Sequence, residues 1–451
     1  MNDTIAAIST AFGEAAIGVL RLSGPEALSV AARVFRGRGL VSELPSRIVH
    51  FGQVVDAKGE VIDSVLLTLF RAPASYTGED VAEISCHGGI LVTRMIYELL
   101  VQTGARPAEP GEFTQRAFLN GKMDLTQAEA VMDVIHAQSE LAVRSATQQL
   151  EGRLGQCATQ LREDLIQLLA HLEAYIDFPE EDIDPDTGAA LLGRMSAIGA
   201  TLQQLLDTAE HGRILRAGAR TVICGEPNVG KSSLLNLLTG FERAIVSPQA
   251  GTTRDTIEEI LHVHGLPFRL VDTAGLRQHT SDFIEQHGMD RTRRELEQAD
   301  LILEVVDASR SAAEAHRVPI PPDKKGHVLI LNKADLGVHP SWIERGEKGI
   351  ALSCPSGAGA VELRLAMRDA VWRGEVSSNA PLVAINVRHQ ACFQRAAQSL
   401  QRAQEAMTAN HAPEFVAFEV REVLTAVGEV TGRVDVEEIL GAIFSQFCIG
   451  K

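Results

Sequence analysis

The chain has 451 residues, is 45% hydrophobic and 22% charged, and carries a formal net charge of −17. Its length predicts about two to four domains with well-filled cores. The acidic balance argues against a broad nucleic-acid-binding surface, so any RNA contact must use a local patch or the surface of a partner. Because no uninterrupted apolar run reaches the ~18 residues that a membrane-spanning helix needs, we expect no such helix.

The six cysteines are scattered along the chain without a Cys-x-x-Cys pair. This pattern predicts reduced thiols rather than a disulfide framework or a zinc site. The N-terminus carries Asp3 and no basic stretch, so we expect no secretory signal. The predicted location is therefore the cytoplasm.

The N-terminal part of the chain mixes short apolar runs with helical stretches. We predict strands at residues 15–22, 48–55, 62–70 and 81–85, and a helix at residues 90–101. The sequence therefore predicts a separate α+β domain over residues 1–120.

The pattern becomes helical from Leu125 to Ile176, and a second helix is predicted from Leu191 to Leu206. One face of the first helix is predicted to carry Leu150, Leu154, Leu161, Leu165, Leu168 and Leu172. Gly152 and Gly155 indicate a kink or a break. The acidic stretch at residues 178–186 is predicted to be a solvated loop and helix N-cap region. Residues 121–215 thus form the first part of a helical domain.

A glycine-rich loop follows the short apolar run at residues 221–224 and precedes a helical run at residues 234–238. This is the context of a phosphate-binding loop, whose backbone N–H groups face an anion. We predict that Lys231 reaches the β- and γ-phosphates of a nucleotide and that Ser232 ligates Mg²⁺. The nucleotide-binding residues of this loop are predicted to be Asn228, Val229, Gly230, Lys231, Ser232 and Ser233.

Three further motifs follow in order, each after an apolar run, and each is predicted to bind the nucleotide. They are Asp272-Thr273-Ala274-Gly275, Asn332-Lys333-Ala334-Asp335 and Ser353-Cys354-Pro355. Asp272 holds Mg²⁺ indirectly, whereas Asp335 accepts hydrogen bonds from guanine N1 and the 2-amino group, which adenine does not offer. Cys354 stands where alanine is usual. The four motifs predict an α/β GTPase domain over residues 216–375.

The residue after the Asp272 motif is Leu276, where many GTPases place a glutamine that orients the attacking water. Hydrolysis must therefore be assisted in another way. We predict that the Asn228 side-chain oxygen ligates a monovalent cation in place of an arginine finger. Thr253 is predicted to complete the Mg²⁺ shell, and Glu285 to position the water.

Two arginines near these loops, Arg254 and Arg277, fit either a finger role or contacts that stabilise a loop. The helical pattern returns after Pro381, at residues 390–407, 415–430 and 434–447. We therefore predict that residues 376–451 complete one helical bundle into which the GTPase domain is inserted, with both ends of the insertion close in space.

Several longer motifs together resemble the tRNA modification GTPase family MnmE, also called TrmE, and the resemblance covers the whole chain. In the GTPase region and at the C-terminus they are Gly251-Thr252-Thr253-Arg254-Asp255, Asp272-Thr273-Ala274-Gly275-Leu276-Arg277 and Cys448-Ile449-Gly450-Lys451. In the N-terminal region they are Ser75-Tyr76-Thr77-Gly78-Glu79-Asp80, Cys86-His87-Gly88-Gly89, Pro110-Gly111-Glu112-Phe113-Thr114 and the segments 116–122 and 124–130.

The resemblance implies an enzyme that adds an aminomethyl or carboxymethylaminomethyl group at C5 of the wobble uridine, position 34, of certain tRNAs. It implies an FAD-dependent partner, MnmG, in a heterotetramer or larger complex. It also implies an N-terminal domain that dimerises and binds a one-carbon carrier of the 5-formyl-tetrahydrofolate type. The matching folate contacts are Arg21, Glu83, Lys122 and Lys451. Cationic side chains suit the anionic glutamate tail of the folate, and a carboxylate suits its pterin ring.

The resemblance further implies that two GTPase domains dimerise across a K⁺ ion, which activates hydrolysis. The matching K⁺ positions are Asn228, Ser247, Gln249 and Thr252, and the matching nucleotide loop is Ser247, Pro248, Gln249, Ala250, Gly251, Thr252 and Thr253. Glu285 matches the water-orienting glutamate of the family, with one residue inserted before it. The Cys448 thiol is either an inert terminal cysteine or a functional group near the folate and tRNA site.

Two other classes of protein share a GTPase domain. A ribosome-assembly or RNA-binding GTPase switch would act without one-carbon chemistry and would usually carry a basic appendage, which a net charge of −17 disfavours. A structural GTPase that polymerises or remodels membranes would need an amphipathic membrane element, and we find no such element in the sequence.

Overall fold

The structure is a computed structural model, and its described residues form two compact units. The described residues are 3–177, 188–241, 259–271, 294–320, 326–344, 348–372, 384–433, 440, 443–444 and 447–450. The first unit gathers residues 1–132, 149–198 and 395–451, and the second gathers residues 133–148 and 199–394. The domain boundaries predicted above remain a proposal, because the first unit gathers segments from three of the predicted domains.

The first unit contains a seven-stranded sheet whose strand order is β3-β4-β5-β6-β2-β1-β7. The strands are β1 (Ile5–Ile8), β2 (Ile17–Ser23), β3 (Phe35–Gly37), β4 (Val49–Val55), β5 (Val61–Phe70), β6 (Val81–His87) and β7 (Arg106–Pro107). Neighbours are antiparallel except β1 and β7. The predicted strands correspond to β2, β4, β5 and β6. The sequence analysis missed β1, β3 and β7, whose short runs give too few residues for a period to be seen.

Helices pack on one face of this sheet and fill the core of the first unit. They are α1 (Ala27–Val34) and α2 (Ile90–Gln102), and α3 (Glu112–Leu119) follows β7. Alternation along the strands explains the arrangement, because Leu20 and Ile84 are buried against the helices while Arg21 and Glu83 lie on the other face.

Besides the helical residues 294–298 and a short 3-10 helix, Ala334–Leu336, further helices lie between residues 125 and 431 of the described chain. They are α4 (Leu125–His136), α5 (Glu140–Leu150), α6 (Arg153–Asp177), α7 (Gly188–Asp207), α8 (Ala209–Ala217), α9 (Lys231–Phe241), α10 (Pro340–Glu344), α11 (Ala360–Val371), α12 (Val387–Thr408) and α13 (Pro413–Thr431). None of the helices among the described residues is both long and apolar enough to cross a membrane.

The leucine face predicted for the first long helix is confirmed from Leu154 onward, where its members are buried in α6, which contacts α13. Leu150 was wrongly placed on that face. The helix is interrupted at Gly152, whose φ is +87°. Leu150 is therefore the last residue of the preceding helix α5, and it is 36% exposed. Of the predicted helix at residues 434–447, only 440, 443–444 and 447 lie among the described residues.

The second unit contains a six-stranded sheet in the order β13-β12-β11-β8-β10-β9. Its strands are β8 (Ala219–Cys224), β9 (Glu259–Val263), β10 (Leu266–Val271), β11 (Leu301–Asp307), β12 (His327–Asn332) and β13 (Ile350–Leu352). All neighbours are parallel except β9 and β10. Every residue of β11 is buried, as expected for a strand covered on both faces. This is the α/β arrangement predicted for the region, and it brings the carboxyl ends of β8, β11, β12 and β13 to one edge.

Candidate functional site

The glycine-rich loop after β8 adopts a conformation that its glycines require. Gly225 and Gly230 have φ angles of +141° and +100°, and Asn228 has a φ of +64°. A Cβ atom at Gly225 would lie 2.1 Å from the carbonyl oxygen of Val305, and one at Gly230 would lie 2.2 Å from Nδ2 of Asn332. The backbone therefore approaches β11 and β12 more closely than any side chain allows, before it enters α9.

Lys231 lies at the first position of α9, and its side chain folds back over the loop. Its Nζ donates to the carbonyl oxygens of Gly225, at 2.8 Å, and Glu226, at 2.7 Å. Burial lowers the pKa of Lys231. A cationic side chain enclosed by such a loop is placed to bind phosphate oxygens. Among the other predicted residues of this loop, Val229 is buried, Ser232 is half-buried and Ser233 is exposed.

Asn332 connects the glycine-rich loop to the two later loops. Its Nδ2 donates to the carbonyl oxygen of Val229 at 2.7 Å, and the Cys354 thiol donates to its Oδ1 at 3.2 Å. Asn332 is 2% exposed. The cysteine that departs from the usual alanine therefore makes a hydrogen bond that alanine cannot make.

Lys333 follows in a left-handed conformation, with a φ of +61°, and its Nζ lies 2.7 Å from Oδ2 of Asp307. Burial would raise the pKa of the Asp307 carboxyl, but hydrogen bonds from Lys333 and Ser309 hold it below its usual value. The sequence analysis missed Asp307. Its position at the end of β11, in register with Asn332 of β12, is the signal that could have found it.

The two remaining base-contacting predictions lie nearby. The Asp335 carboxylate is exposed, and burial together with the charge of Asp335 raises the pKa of the Cys354 thiol. The backbone N–H of Ser353 donates to the carbonyl oxygen of Ala358 at 3.0 Å. The buried Ser353 hydroxyl has no hydrogen-bond partner among the described residues, and Pro355 is exposed. An acceptor carboxylate therefore lies beside a loop that is anchored through Asn332.

Beneath the glycine-rich loop lies a buried ionic cluster that the sequence analysis also missed. Glu304, 1% exposed in β11, accepts hydrogen bonds from Nε of Arg317 at 2.9 Å and Nε2 of His327 at 3.0 Å. Burial alone would raise the pKa of Glu304, but these partners lower it to about 2. Burial and the Glu304 charge raise the pKa of Cys224, its register partner in β8, to about 12. The last residue before the loop is therefore an unreactive thiol.

The residue before Arg317 contacts the glycine-rich loop itself. The carboxylate of Glu226 accepts hydrogen bonds from the backbone N–H of His316 at 2.6 Å and from its Nδ1 at 2.8 Å. The backbone hydrogen bond is the main reason why the pKa of Glu226 lies below its usual value. The segment after β11 is thus fixed both to the loop and to the strand below it.

Several predicted residues lie outside the described part of the chain, and their roles stay predictions. They are Ser247, Pro248, Gln249, Ala250, Gly251, Thr252, Thr253, Asp272, Thr273, Ala274, Gly275, Glu285 and Lys451. Asn228, the remaining member of the predicted K⁺ set, is exposed, and its side-chain amide has no hydrogen-bond partner among the described residues. Its oxygen is therefore available to a cation.

In the first unit, Arg21 and Glu83 are cross-strand partners on the open face of the sheet. Nη2 of Arg21 lies 2.8 Å from Oε1 of Glu83, and the two side chains are 17% and 26% exposed. The Arg21 guanidinium also lies over the rings of Tyr76, at 5.5 Å, and Phe113, at 5.6 Å. Two of the four predicted folate contacts therefore touch each other beside two aromatic rings.

The third predicted contact, Lys122, lies against the loop that carries Tyr76. Its Nζ donates to the carbonyl oxygen of Pro73 at 3.0 Å. The Tyr76 hydroxyl bonds to Oγ1 of Thr114 at 2.8 Å, and burial raises the pKa of Tyr76. Sequence reasoning did not assign a role to Tyr76, although it lies in one of the N-terminal motifs.

A buried arginine fixes the same loop from the other side. Arg116 is 1% exposed, and its guanidinium lies 3.2 Å from Glu79 and 2.9 Å from Glu112. Glu79 in turn accepts a hydrogen bond from Ser23 Oγ at 2.7 Å. The loop that carries Tyr76 is thus also held by charges on α3.

The C-terminal motif lies against the first hairpin of the same chain. The carbonyl oxygen of Gly450 accepts a hydrogen bond from Ser9 Oγ at 3.3 Å. Gly450 has a φ of +101°, and a Cβ atom there would lie 2.6 Å from the carbonyl oxygen of Ile8. Ile8 pairs with Leu20, the residue before Arg21. The motif is therefore close along the β1–β2 ladder to the Arg21 pair, and its Cys448 is exposed.

Comparison with known proteins gives matches over the whole chain. Residues 4–122 match a family model described as the GTP-binding protein TrmE N-terminus, and residues 125–448 match one described as the MnmE helical domain.

Three curated relatives share the name tRNA modification GTPase MnmE. The relative from Akkermansia muciniphila is 52% identical over 451 residues, which cover 99% of this chain and 99% of the relative. The relative from Geobacter sulfurreducens is 44% identical over 459 residues, and that from Aquifex aeolicus is 43% identical over 455 residues. Both alignments cover 100% of each chain. The similarity is therefore not confined to the GTPase motifs.

Proposed function

The chain belongs to the MnmE family of tRNA modification GTPases, as its motifs predict, and we propose that it couples GTP hydrolysis to modification of the wobble uridine, position 34, of certain tRNAs. The modification adds an aminomethyl or carboxymethylaminomethyl group at C5, together with an FAD-dependent MnmG-like partner in a heterotetramer or larger complex, in the cytoplasm. The observation that carries this proposal is the full-length match, which includes both the phosphate loop and the C-terminal motif.

The nucleotide half of the proposal rests on the loops of the second unit. Lys231, in the curl of the phosphate loop, binds the β- and γ-phosphates. The Asp335 carboxylate selects guanine because it accepts hydrogen bonds from two donors that adenine lacks. Ser232 and Thr253 are the proposed ligands of Mg²⁺, which would neutralise charge on the phosphates when bound.

Activation of hydrolysis is proposed to use a second copy of the chain, because Leu276 cannot orient water. Asn228, with Ser247, Gln249 and Thr252, would hold K⁺ in a homodimer of GTPase domains. The exposed amide of Asn228, which has no partner among the described residues, supports this role. When bound, K⁺ would supply positive charge where an arginine finger otherwise acts. Glu285 is the proposed residue that positions the attacking water.

The one-carbon half of the proposal rests on the first unit. Arg21, Glu83, Lys122 and Lys451 are the proposed contacts of 5-formyl-tetrahydrofolate or a related tetrahydrofolate. The partly exposed Arg21–Glu83 pair supports this site, because it offers an ionic edge beside the ring of Tyr76. The folate would supply the carbon unit. The exposed Cys448 thiol, near the same ladder, is proposed to act in the tRNA reaction.

Nucleoside analysis of tRNA tests the proposed function. Cells that lack their own family member are supplied with this chain, and position 34 of the tRNA is examined by mass spectrometry. We expect the C5-modified uridine to return with the wild-type chain and to stay absent with Lys231→Ala. Arg153→Gln, a change at an exposed arginine of α6, is the control that should restore it. Modification that returns equally with Lys231→Ala would show that GTP chemistry is not required.

A further inference from the structure

Five arginines between residues 33 and 71 form a surface feature that no part of the proposed function uses. We call this set the basic ridge: Arg33, Arg36, Arg38, Arg47 and Arg71. None of them forms an ion pair with a described carboxylate, whereas Arg106, Arg116 and Arg421 of the same unit all do. In a chain of net charge −17, this is a cluster of positive charge without an ion pair among the described residues, and Glu26 is the one carboxylate that lines the same cavity as Arg36 and Arg71.

Backbone carbonyl groups hold the guanidinium groups of Arg36, Arg47 and Arg71 in place. Nη1 of Arg36 donates to the carbonyl oxygens of Ala32, Arg33 and Phe35. Nη2 of Arg47 donates to that of Ala74 at 2.9 Å, and Nη2 of Arg71 donates to that of Ser42 at 2.8 Å.

Each of these three guanidinium groups is therefore anchored through one terminal nitrogen. Its remaining N–H groups have no acceptor among the described residues. A planar cation that is already oriented loses little freedom when it binds an oxyanion, and its open donors match the geometry of a phosphate. Anchoring distinguishes these side chains from ordinary solvated surface arginines.

Three members of the ridge, Arg36, Arg47 and Arg71, lie close together. Arg36 and Arg71 line the same cavity, about 690 Å³ in volume, between α1, β3 and residues 39–42. The backbone N–H of Arg71 bonds to Oγ of Ser46, the neighbour of Arg47. The cavity has an apolar wall that includes Leu28 and Phe35, so an RNA strand that follows the arginines has room for an unstacked base.

The ridge is continuous with the proposed one-carbon site. The turn at residues 71–74 accepts a hydrogen bond from Arg47 at Ala74 and one from Lys122 at Pro73, at 2.9 Å and 3.0 Å. Lys122 is one of the proposed folate contacts. The positive charge therefore runs from the cavity to the edge of that site.

We propose that the basic ridge binds the sugar-phosphate backbone of the tRNA substrate and so holds the substrate beside the one-carbon site. This inference rests on the proposed function, because it takes tRNA as the substrate. It also explains how an acidic protein can bind RNA: the contact is a local patch whose arginines form no ion pair with a described carboxylate. Phosphate contacts of this kind fix position without reading sequence.

The test measures tRNA affinity as a function of salt concentration for the full-length protein. The variant is Arg36→Gln with Arg38→Gln and Arg47→Gln, which leaves the half-buried Arg71 in place. The matched control is Arg94→Gln with Arg153→Gln and Arg433→Gln, three exposed arginines of the same unit whose loss changes the net charge equally.

We expect the ridge variant to bind tRNA at least about tenfold more weakly at 0.1 M salt, with a salt slope lower by about 2, because each lost phosphate contact removes ~0.7–0.9 from the slope. GTP hydrolysis and the thermal midpoint should not change, and the control should bind like the wild type. Wild-type affinity and slope in the ridge variant would overturn the inference alone. A wild-type protein that does not bind tRNA would overturn both the inference and the proposed substrate. If the ridge variant lost binding to anionic vesicles but kept its affinity for tRNA, the ridge would be a membrane-binding surface. That result would also overturn the inference.

Discussion

Replacing Glu304 by glutamine removes the charge at the centre of the ionic cluster under the phosphate loop, and the structure sets the size of the effect. The folded protein lowers the pKa of Glu304 from 4.5 to about 2. This difference corresponds to about 3 kcal/mol of stability at neutral pH. Because the pKa is lowered by folding, the contribution is present above pH 4.5 and is lost as the pH falls through about 2.

At pH 7 we expect Glu304→Gln to destabilise the second unit by about 2–3 kcal/mol, somewhat less than the full contribution because Arg317 and His327 are partly exposed and can be rehydrated. The melting temperature should fall by about 4–12 °C, at ~2–4 °C per kcal/mol for a unit of this size. Both tryptophans of the chain, Trp342 and Trp372, lie in this unit, so their fluorescence reports its unfolding.

Urea unfolding at pH 7 and at pH 3, followed by tryptophan fluorescence, measures the effect. Glu314→Gln is the control, because Glu314 is an exposed carboxylate of the same segment. The difference between Glu304→Gln and the wild type should shrink at pH 3, whereas the control should match the wild type at both values. A variant as stable as the wild type at pH 7, or a loss that does not depend on pH, would refute the reasoning.

Four further predictions concern the proposed chemistry. Asp335→Asn should weaken GTP binding and admit xanthosine triphosphate, and an unchanged preference for guanine would contradict the assignment of the base site. Hydrolysis should be faster in K⁺ than in Na⁺, and Asn228→Ala should remove most of the difference; equal wild-type rates in the two salts would reject the cation site. Glu285→Ala should slow hydrolysis by about 10²-fold at nearly unchanged nucleotide affinity, and a large loss of affinity with normal turnover would make Glu285 structural. Deletion of Cys448 to Lys451 should leave GTP hydrolysis intact, weaken folate binding and abolish uridine modification; surviving modification would make the terminal motif a structural tail.

Local constraints explain which parts of the site could be predicted from the sequence. The positive φ angles of Gly225 and Gly230 are a local requirement of the loop, so the motif itself carries that part of the geometry, whereas their close approaches to Val305 and Asn332 are contacts with distant strands. The strands that coincide with long apolar runs could also be predicted, because the run itself is a local signal in the sequence. The family assignment was also available, because the motifs are specific and span the chain.

The parts that the sequence analysis missed depend on contacts between distant residues. Glu226 meets His316, which is 90 residues away, and Asp307 meets Lys333 across neighbouring strands. Tyr76 is held beside Arg21 by its hydrogen bond to Thr114 and by the Arg116–Glu79 pair that anchors its loop. Tertiary packing between segments far apart in the sequence decides these contacts, and no local period records them.

The most direct test of the central claim uses the purified chain, the proposed FAD-dependent partner, a one-carbon tetrahydrofolate and unmodified tRNA. Parallel reactions contain GTP or a GTP analogue that cannot be hydrolysed, and the mass of the nucleoside at position 34 is measured. The account predicts C5-modified uridine with GTP and unmodified uridine with the analogue. Equal modification in the two reactions, or unmodified uridine in both, would contradict it.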